Sequence, residues 1–94
     1  MLSAPLAQAK YTLERSRFYA LLYAPRDETE IKALLTARKR ALKRACHHCW
    51  ASRRVADGQL IEQARDDGEV GRPGTKILAV MRRYEIEGVL IVSR

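Results

Sequence analysis

The sequence predicts an α+β domain with the element order ββαββαβ, a two-layer sandwich with helices on one face of a mixed sheet. Three observations carry this. Two segments, around Leu34 and around Leu78, repeat apolar residues at helical spacing. The segments flanking them alternate or are rich in aromatic and β-branched residues, as strands are. Asp57-Gly58 falls between two such segments and is a strong hairpin signal.

Leu6 to Leu13 alternates loosely and reads as a first strand, followed by the polar turn Glu14-Arg15-Ser16-Arg17. Phe18 to Tyr23 is aromatic and apolar, a second strand that Pro25 ends. Asp27 has the character of a helix N-cap, with Glu30 three residues on in a capping-box arrangement. Ile31, Leu34, Leu35, Ala41, Leu42 and Ala45 then mark a helix from about Glu28 to Ala45. Cys46 to Arg54 loses the helical period and alternates, a third strand. Gln59 to Ala64 returns from the Asp57-Gly58 turn as a fourth. Pro73 and Gly74 open a second helix, with Ile77, Leu78, Met81 and Tyr84 on one face and Gly88 as its C′ residue. Val89 to Val92 is an apolar run that reads as a central buried strand.

A chain of 94 residues has the length of one domain, and the reading takes residues 1–94 as a single unit. The 47% hydrophobic and 31% charged fractions are those of a soluble globular protein. No apolar run approaches the ~20 residues of a membrane-crossing helix. The N-terminal Met-Leu-Ser-Ala-Pro-Leu-Ala is neither basic nor long enough for a signal peptide. The expected compartment is therefore the cytoplasm, without membrane association. On a strand, Cys46 and Cys49 would stand ~10 Å apart with side chains on opposite faces. A disulfide needs Cα atoms within ~7 Å, so reduced thiols are expected.

The net charge is +7, and it is concentrated. From Ile31 to Ala56 there is no acidic residue, while Lys32, Arg38, Lys39, Arg40, Lys43, Arg44, Arg53 and Arg54 all fall there. Part of this complements the dipole of the first helix. The rest makes a surface for phosphate-rich or acidic partners, set against the plainer reading of a solvated helix face.

Four further patterns bear on chemistry. Cys46-His47-His48-Cys49 offers zinc-ligating residue types, but consecutive strand residues alternate between faces and no second ligand pair exists. No metal or other cofactor is expected. A Cys49–His47 nucleophile would lack an orienting third group and an oxyanion hole, and buried inert thiols are the simpler reading. Asp66, Asp67 and Glu69 put three carboxylates within four residues. They lack the calcium-loop pattern and read first as a turn in which Asp side chains accept backbone hydrogen bonds. Gly71-Arg72-Pro73-Gly74-Thr75-Lys76 lacks the phosphate-loop ending, yet a glycine-bearing helix start with Arg72 and Lys76 is an anion-site candidate. Either cation is also placed to pair with the loop acids.

Three motifs, in order, resemble the Impact N-terminal family. They are Ser16-Arg17-Phe18 opening a strand, Ala45-Cys46-His47-His48-Cys49-Trp50-Ala51, and Asp66-Asp67-Gly68-Glu69 followed by a Gly/Pro/Thr segment and a helix. Val89 to Arg94 looks like the strand leading into the family's glycine-rich stretch. Val70 stands where the family usually has proline, and Arg72-Pro73 precedes Gly74-Thr75. The resemblance implies a fold like the second domain of ribosomal protein S5. Because the family's glycine-rich stretch and following helix do not come after Arg94, the expectation is a partial family domain: either a truncated or minimal member, or a resemblance that holds for only part of a domain. Apolar surface and a sheet edge left open in this way favour a homodimer. Eukaryotic relatives act as translational regulators that associate with ribosomes and compete for the large activator of an amino-acid-starvation kinase. The family supplies no catalytic residues to transfer.

The leading expectation is a non-enzymatic binding module connected with translation. Its basic surface (Arg38, Lys39, Arg40, Lys43, Arg44, Arg53 and Arg54) would take RNA, the ribosome or an acidic protein. About five phosphate contacts would give a log–log salt slope near −4 to −5. Tyr19, Tyr23 and Trp50 are candidates for base stacking where exposed and for core packing where not. The alternatives are a ligand-binding or enzymatic loop built from Asp66, Asp67, Glu69, Arg72 and Lys76, and a protein–protein module using a sheet edge.

Overall fold

The computed structural model describes residues 4–45 and 47–94, so Cys46 lies outside the described residues. The elements are β1 (Ala7–Leu13), β2 (Ser16–Tyr23), α1 (Glu28–Ala41), β3 (His48–Ala56), β4 (Gln59–Arg65), α2 (Pro73–Arg83) and β5 (Gly88–Ser93). This is the α+β class and the ββαββαβ order that the sequence predicts.

The five strands form one sheet in the order β1-β2-β5-β3-β4. Each helix connects two strands that run the same way, and a mixed sheet would follow if those strands were neighbours. They are not. β5 lies between β2 and β3 and is antiparallel to both, and every other pair is also antiparallel. Val89 and Ile91 of β5 are fully buried, as expected of the central strand.

The helices, expected together on one face, lie on opposite faces. Leu21 is paired with Ile91 and Tyr23 with Val89, while Trp50 is paired with Ile91 from the other side. These residues share one face, where Ile31, Leu34 and Leu35 of α1 pack on them. Leu90, Ala51 and Ala64 are in register one residue along and face the other way, against Ile77, Leu78 and Met81 of α2. The physical reason is legible in β5 itself. A strand covered on both sides is apolar at successive positions instead of alternating.

Local chemistry explains the element ends. Asp27 caps α1, its side chain accepting from the Glu30 N–H at 2.8 Å. The Glu30 carboxylate reaches back one residue further than a capping box does, accepting from the Arg26 N–H at 2.8 Å. α1 stops at Ala41 instead of Ala45, with the Leu42 N–H closing onto Arg38 O at 3.0 Å. Asp57 and Gly58 both take positive φ, the geometry of a two-residue hairpin. The β1–β2 hairpin uses the same geometry with Glu14 and Arg15, neither of them glycine.

Tyr84, expected on the apolar face of α2, is 65% exposed. Gly88 is not the C′ residue of that helix. Glu85 takes the left-handed position at φ 53, and Gly88 opens β5 at φ 128. A Cβ on Gly88 would stand 2.3 Å from the Tyr23 carbonyl oxygen. A Cβ on Gly74 would stand 2.5 Å from the Arg65 carbonyl oxygen, so α2 approaches the end of β4 only because that residue is glycine.

Candidate nucleic-acid interface

The α1 side of the sheet is only partly covered. α1 packs over β2, β5 and β3, leaving the β1–β2 hairpin side open. On this face Lys10 is paired with Tyr19, and Thr12 with Arg17. Three adjoining concavities line the open strip. One of about 350 Å³ runs between the strand pair and Arg38 of α1. One of about 360 Å³ lies toward the hairpin and includes Lys10, Thr12 and Arg17. The largest, about 660 Å³, separates Arg17 from the segment at the end of α1 that carries Arg40, Lys43 and Arg44. Tyr19 lines all three.

Cations from separate parts of the chain thus meet at one groove. Arg17 comes from β2, Arg40 from the last turn of α1, and Lys43 and Arg44 from the turn after it. None of these four is in an ion pair among the described residues. Arg38 Nε is shielded from water and has no hydrogen-bond partner among the described residues. Lys39 is exposed and lines none of the three concavities. Arg94 also borders the largest groove, but its guanidinium is engaged by Glu69 and lies over the Phe18 ring.

The acidic loop has a different character. Asp66 Oδ1 accepts from the Gly74 N–H at 2.8 Å, inside the first turn of α2. Asp67 Oδ2 accepts from the His48 N–H at 2.7 Å, at the start of β3. The Asp67 carbonyl accepts from His47 Nδ1 at 2.9 Å, which requires the proton on that nitrogen. The Cys49 thiol donates toward the Asp66 carbonyl at 3.2 Å and Glu69 Oε2 at 3.3 Å. Arg72 is the left-handed N-cap of α2 and Lys76 is exposed on its first turns. Neither is paired with the loop acids among the described ion pairs, where Arg94 takes Glu69 instead. Those acids line none of the three concavities.

Residues 14–94 match the Impact N-terminal domain. The chain belongs to the Impact N-terminal domain family. That family is linked to translation regulation. No curated protein and no solved structure matches the chain.

In this Impact N-terminal domain Arg53 and Arg54 stand apart from the groove. Adjacent strand residues face opposite ways, so their charges divide. Arg54 turns to the α1 side and pairs with Glu28 at 2.8 Å. Arg53 turns to the α2 side, pairs with Glu62 at 2.9 Å and donates to the Met81 and Ile86 carbonyls. Glu62 also takes Arg82 at 2.8 Å. Hydrogen bonds from Arg82 and then from Arg53 hold the Glu62 carboxyl at about 2.

Cys49 and His48 are both buried and engaged in hydrogen bonds. Burial, then the hydrogen bond to Glu69, pushes the Cys49 thiol up to about 12. It stays protonated at neutral pH, which removes the thiolate a nucleophile needs. His48 is buried, its pKa lowered by that burial, and its Nδ1 hydrogen-bonds Ser93 Oγ at 2.7 Å. Among the described residues no three His, Cys, Asp or Glu side chains are grouped to hold a metal ion. No helix among them is long and apolar enough to cross a membrane.

The open strip contains residues that the charge pattern alone did not single out. Lys10 and Arg17 sit in strands, far in sequence from the acid-free stretch. The sequence offers Arg17 as part of the turn Glu14-Arg15-Ser16-Arg17 and of Ser16-Arg17-Phe18. The structure places it in β2, and the strand pairing is what turns it toward α1.

Proposed function

We propose that the domain is a non-enzymatic RNA-binding module of translation, holding the phosphate backbone in the groove between β2 and the end of α1. One observation carries this reading: Arg17, Arg40, Lys43 and Arg44 converge on a single open groove with no carboxylate among the described residues that line it. Cations without an ion-pair partner among the described residues are available to neutralise phosphates, which releases the counterions condensed on a nucleic acid. An acidic protein would be attracted by the same field, but the groove is lined at Tyr19 by an aromatic ring, which suits nucleic acid.

The test is equilibrium binding of labelled RNA over a salt series. Four cation–phosphate contacts give a log–log slope of about −3 to −4. Changing Arg17, Arg40, Lys43 and Arg44 to Glu together should abolish binding while leaving the fold intact by circular dichroism. Absence of RNA binding at low salt would overturn the reading, and an acidic protein would then be the partner to seek.

A further inference from the structure

We infer that Tyr19 is a stacking platform for one unpaired base, so that the groove selects single-stranded over duplex nucleic acid. This rests on the RNA reading above and adds the conformation of the ligand.

Among the described residues, Tyr19 is the one that lines all three concavities of the open strip, and it is half-buried on the sheet floor. Across β1 it faces Lys10, and across β5 it faces Ser93, which is small and fully buried. Tyr19 is thus held between two strands on the sheet and remains only half-buried, bordering open space. Charge surrounds it on the same face. Paired strand residues lie roughly 5 Å apart, and same-face neighbours along a strand roughly 7 Å apart. Lys10 and Arg17 thus stand beside the ring, within reach of phosphates on either side of a base resting on it.

α1 stands beside the floor as a wall about 10 Å high. A duplex is convex and presents its phosphates outward, with its bases stacked inside. It can touch the rim cations at Arg40, Lys43 and Arg44, but it cannot bring a base face to Tyr19. A single strand can splay a base onto an aromatic ring at little cost. Tyr23 and Trp50, the other aromatic candidates, are packed against the α1 core and do not compete for this role.

The experiment compares a labelled single-stranded RNA, its duplex and the single-stranded DNA of the same sequence, using the wild-type protein, Tyr19→Ala and Tyr19→Phe. Tyr19→Ala should weaken single-strand binding roughly 5- to 150-fold with an unchanged salt slope. Tyr19→Phe, which keeps the ring, should bind within a few-fold of wild type. The duplex should bind more weakly than either single strand and should not distinguish the three proteins. Equal binding of single strand and duplex, or an unaffected Tyr19→Ala protein, would overturn the inference. If the fourfold Glu variant still loses binding in that case, the basic groove stands and only the stacking falls. If no polynucleotide binds wild type at low salt, both readings fall together.

Discussion

The Asp66 carboxylate accepts the Gly74 N–H at 2.8 Å, so α2 is capped by a residue eight positions earlier in the chain. The helix needs this because its own N-cap, Arg72, supplies no side-chain hydrogen bond. Asp66→Ala should therefore destabilise the domain by about 1 kcal/mol, and up to about 2 where the orphaned N–H stays shielded. Asp66→Asn, which keeps an acceptor oxygen, should lose less. Urea unfolding reads both. RNA affinity measured well below the unfolding midpoint should be unchanged, and a loss of affinity in a folded Asp66→Asn protein would give the loop a direct role in binding.

The cluster of Glu62 with Arg53 and Arg82 predicts an acid-limb dependence. The folded-state pKa of Glu62 is lowered from 4.5 to about 2, so its contribution is fully present above about 4.5 and is lost as the pH falls toward 2. Wild type should be more stable than Glu62→Gln near neutral pH, with the gap closing between those two values. Thermal melts across that window test it. A gap that is independent of pH would mean that Glu62 acts by packing and not by charge.

Gly88 predicts a large steric effect. Alanine there would carry φ 128 and drive a Cβ to 2.3 Å from the Tyr23 carbonyl oxygen. Gly88→Ala should cost at least about 2–3 kcal/mol, since β5 must move away from β2 or twist out of register. Gly58→Ala is the control. It also carries positive φ, at 76, but opens into empty space and should cost only about 1 kcal/mol. Similar losses for the two would mean that backbone conformation alone, not the approach to Tyr23, requires glycine at position 88.

What could be read from the sequence was local. Asp27, Ile31 and Leu34 announce the start and inner face of α1 because caps and helical spacing are short-range. Asp57-Gly58 announces its hairpin for the same reason. The side of the sheet on which a helix lands is not local: it depends on strand register, which pairs Trp50 with Ile91 and Ala51 with Leu90. The apolar run Val89 to Val92 held the clue, since burial on both faces removes alternation. The basic surface was half legible. Arg40, Lys43 and Arg44 stay together because one helix end carries them. Arg53 and Arg54 look equivalent in the sequence, but strand parity sends them to opposite faces and to Glu62 and Glu28. Lys10, Arg17 and Tyr19 come to line one open strip only once β1 and β2 are paired beside α1.

His47 and Arg94 exchange backbone hydrogen bonds where β3 begins and β5 ends, and Asp67 and Glu69 fasten their side chains from the loop behind. The floor of the basic groove is therefore anchored at the point where three segments of the chain are joined. If the proposed polyanion binds, the backbone it meets is already in place, and the side chains of Arg17, Arg40, Lys43 and Arg44 are what remain to be ordered. Capture should then be governed by diffusion in the field of the protein, and ionic strength should act on the rate of arrival as well as on the lifetime of the complex.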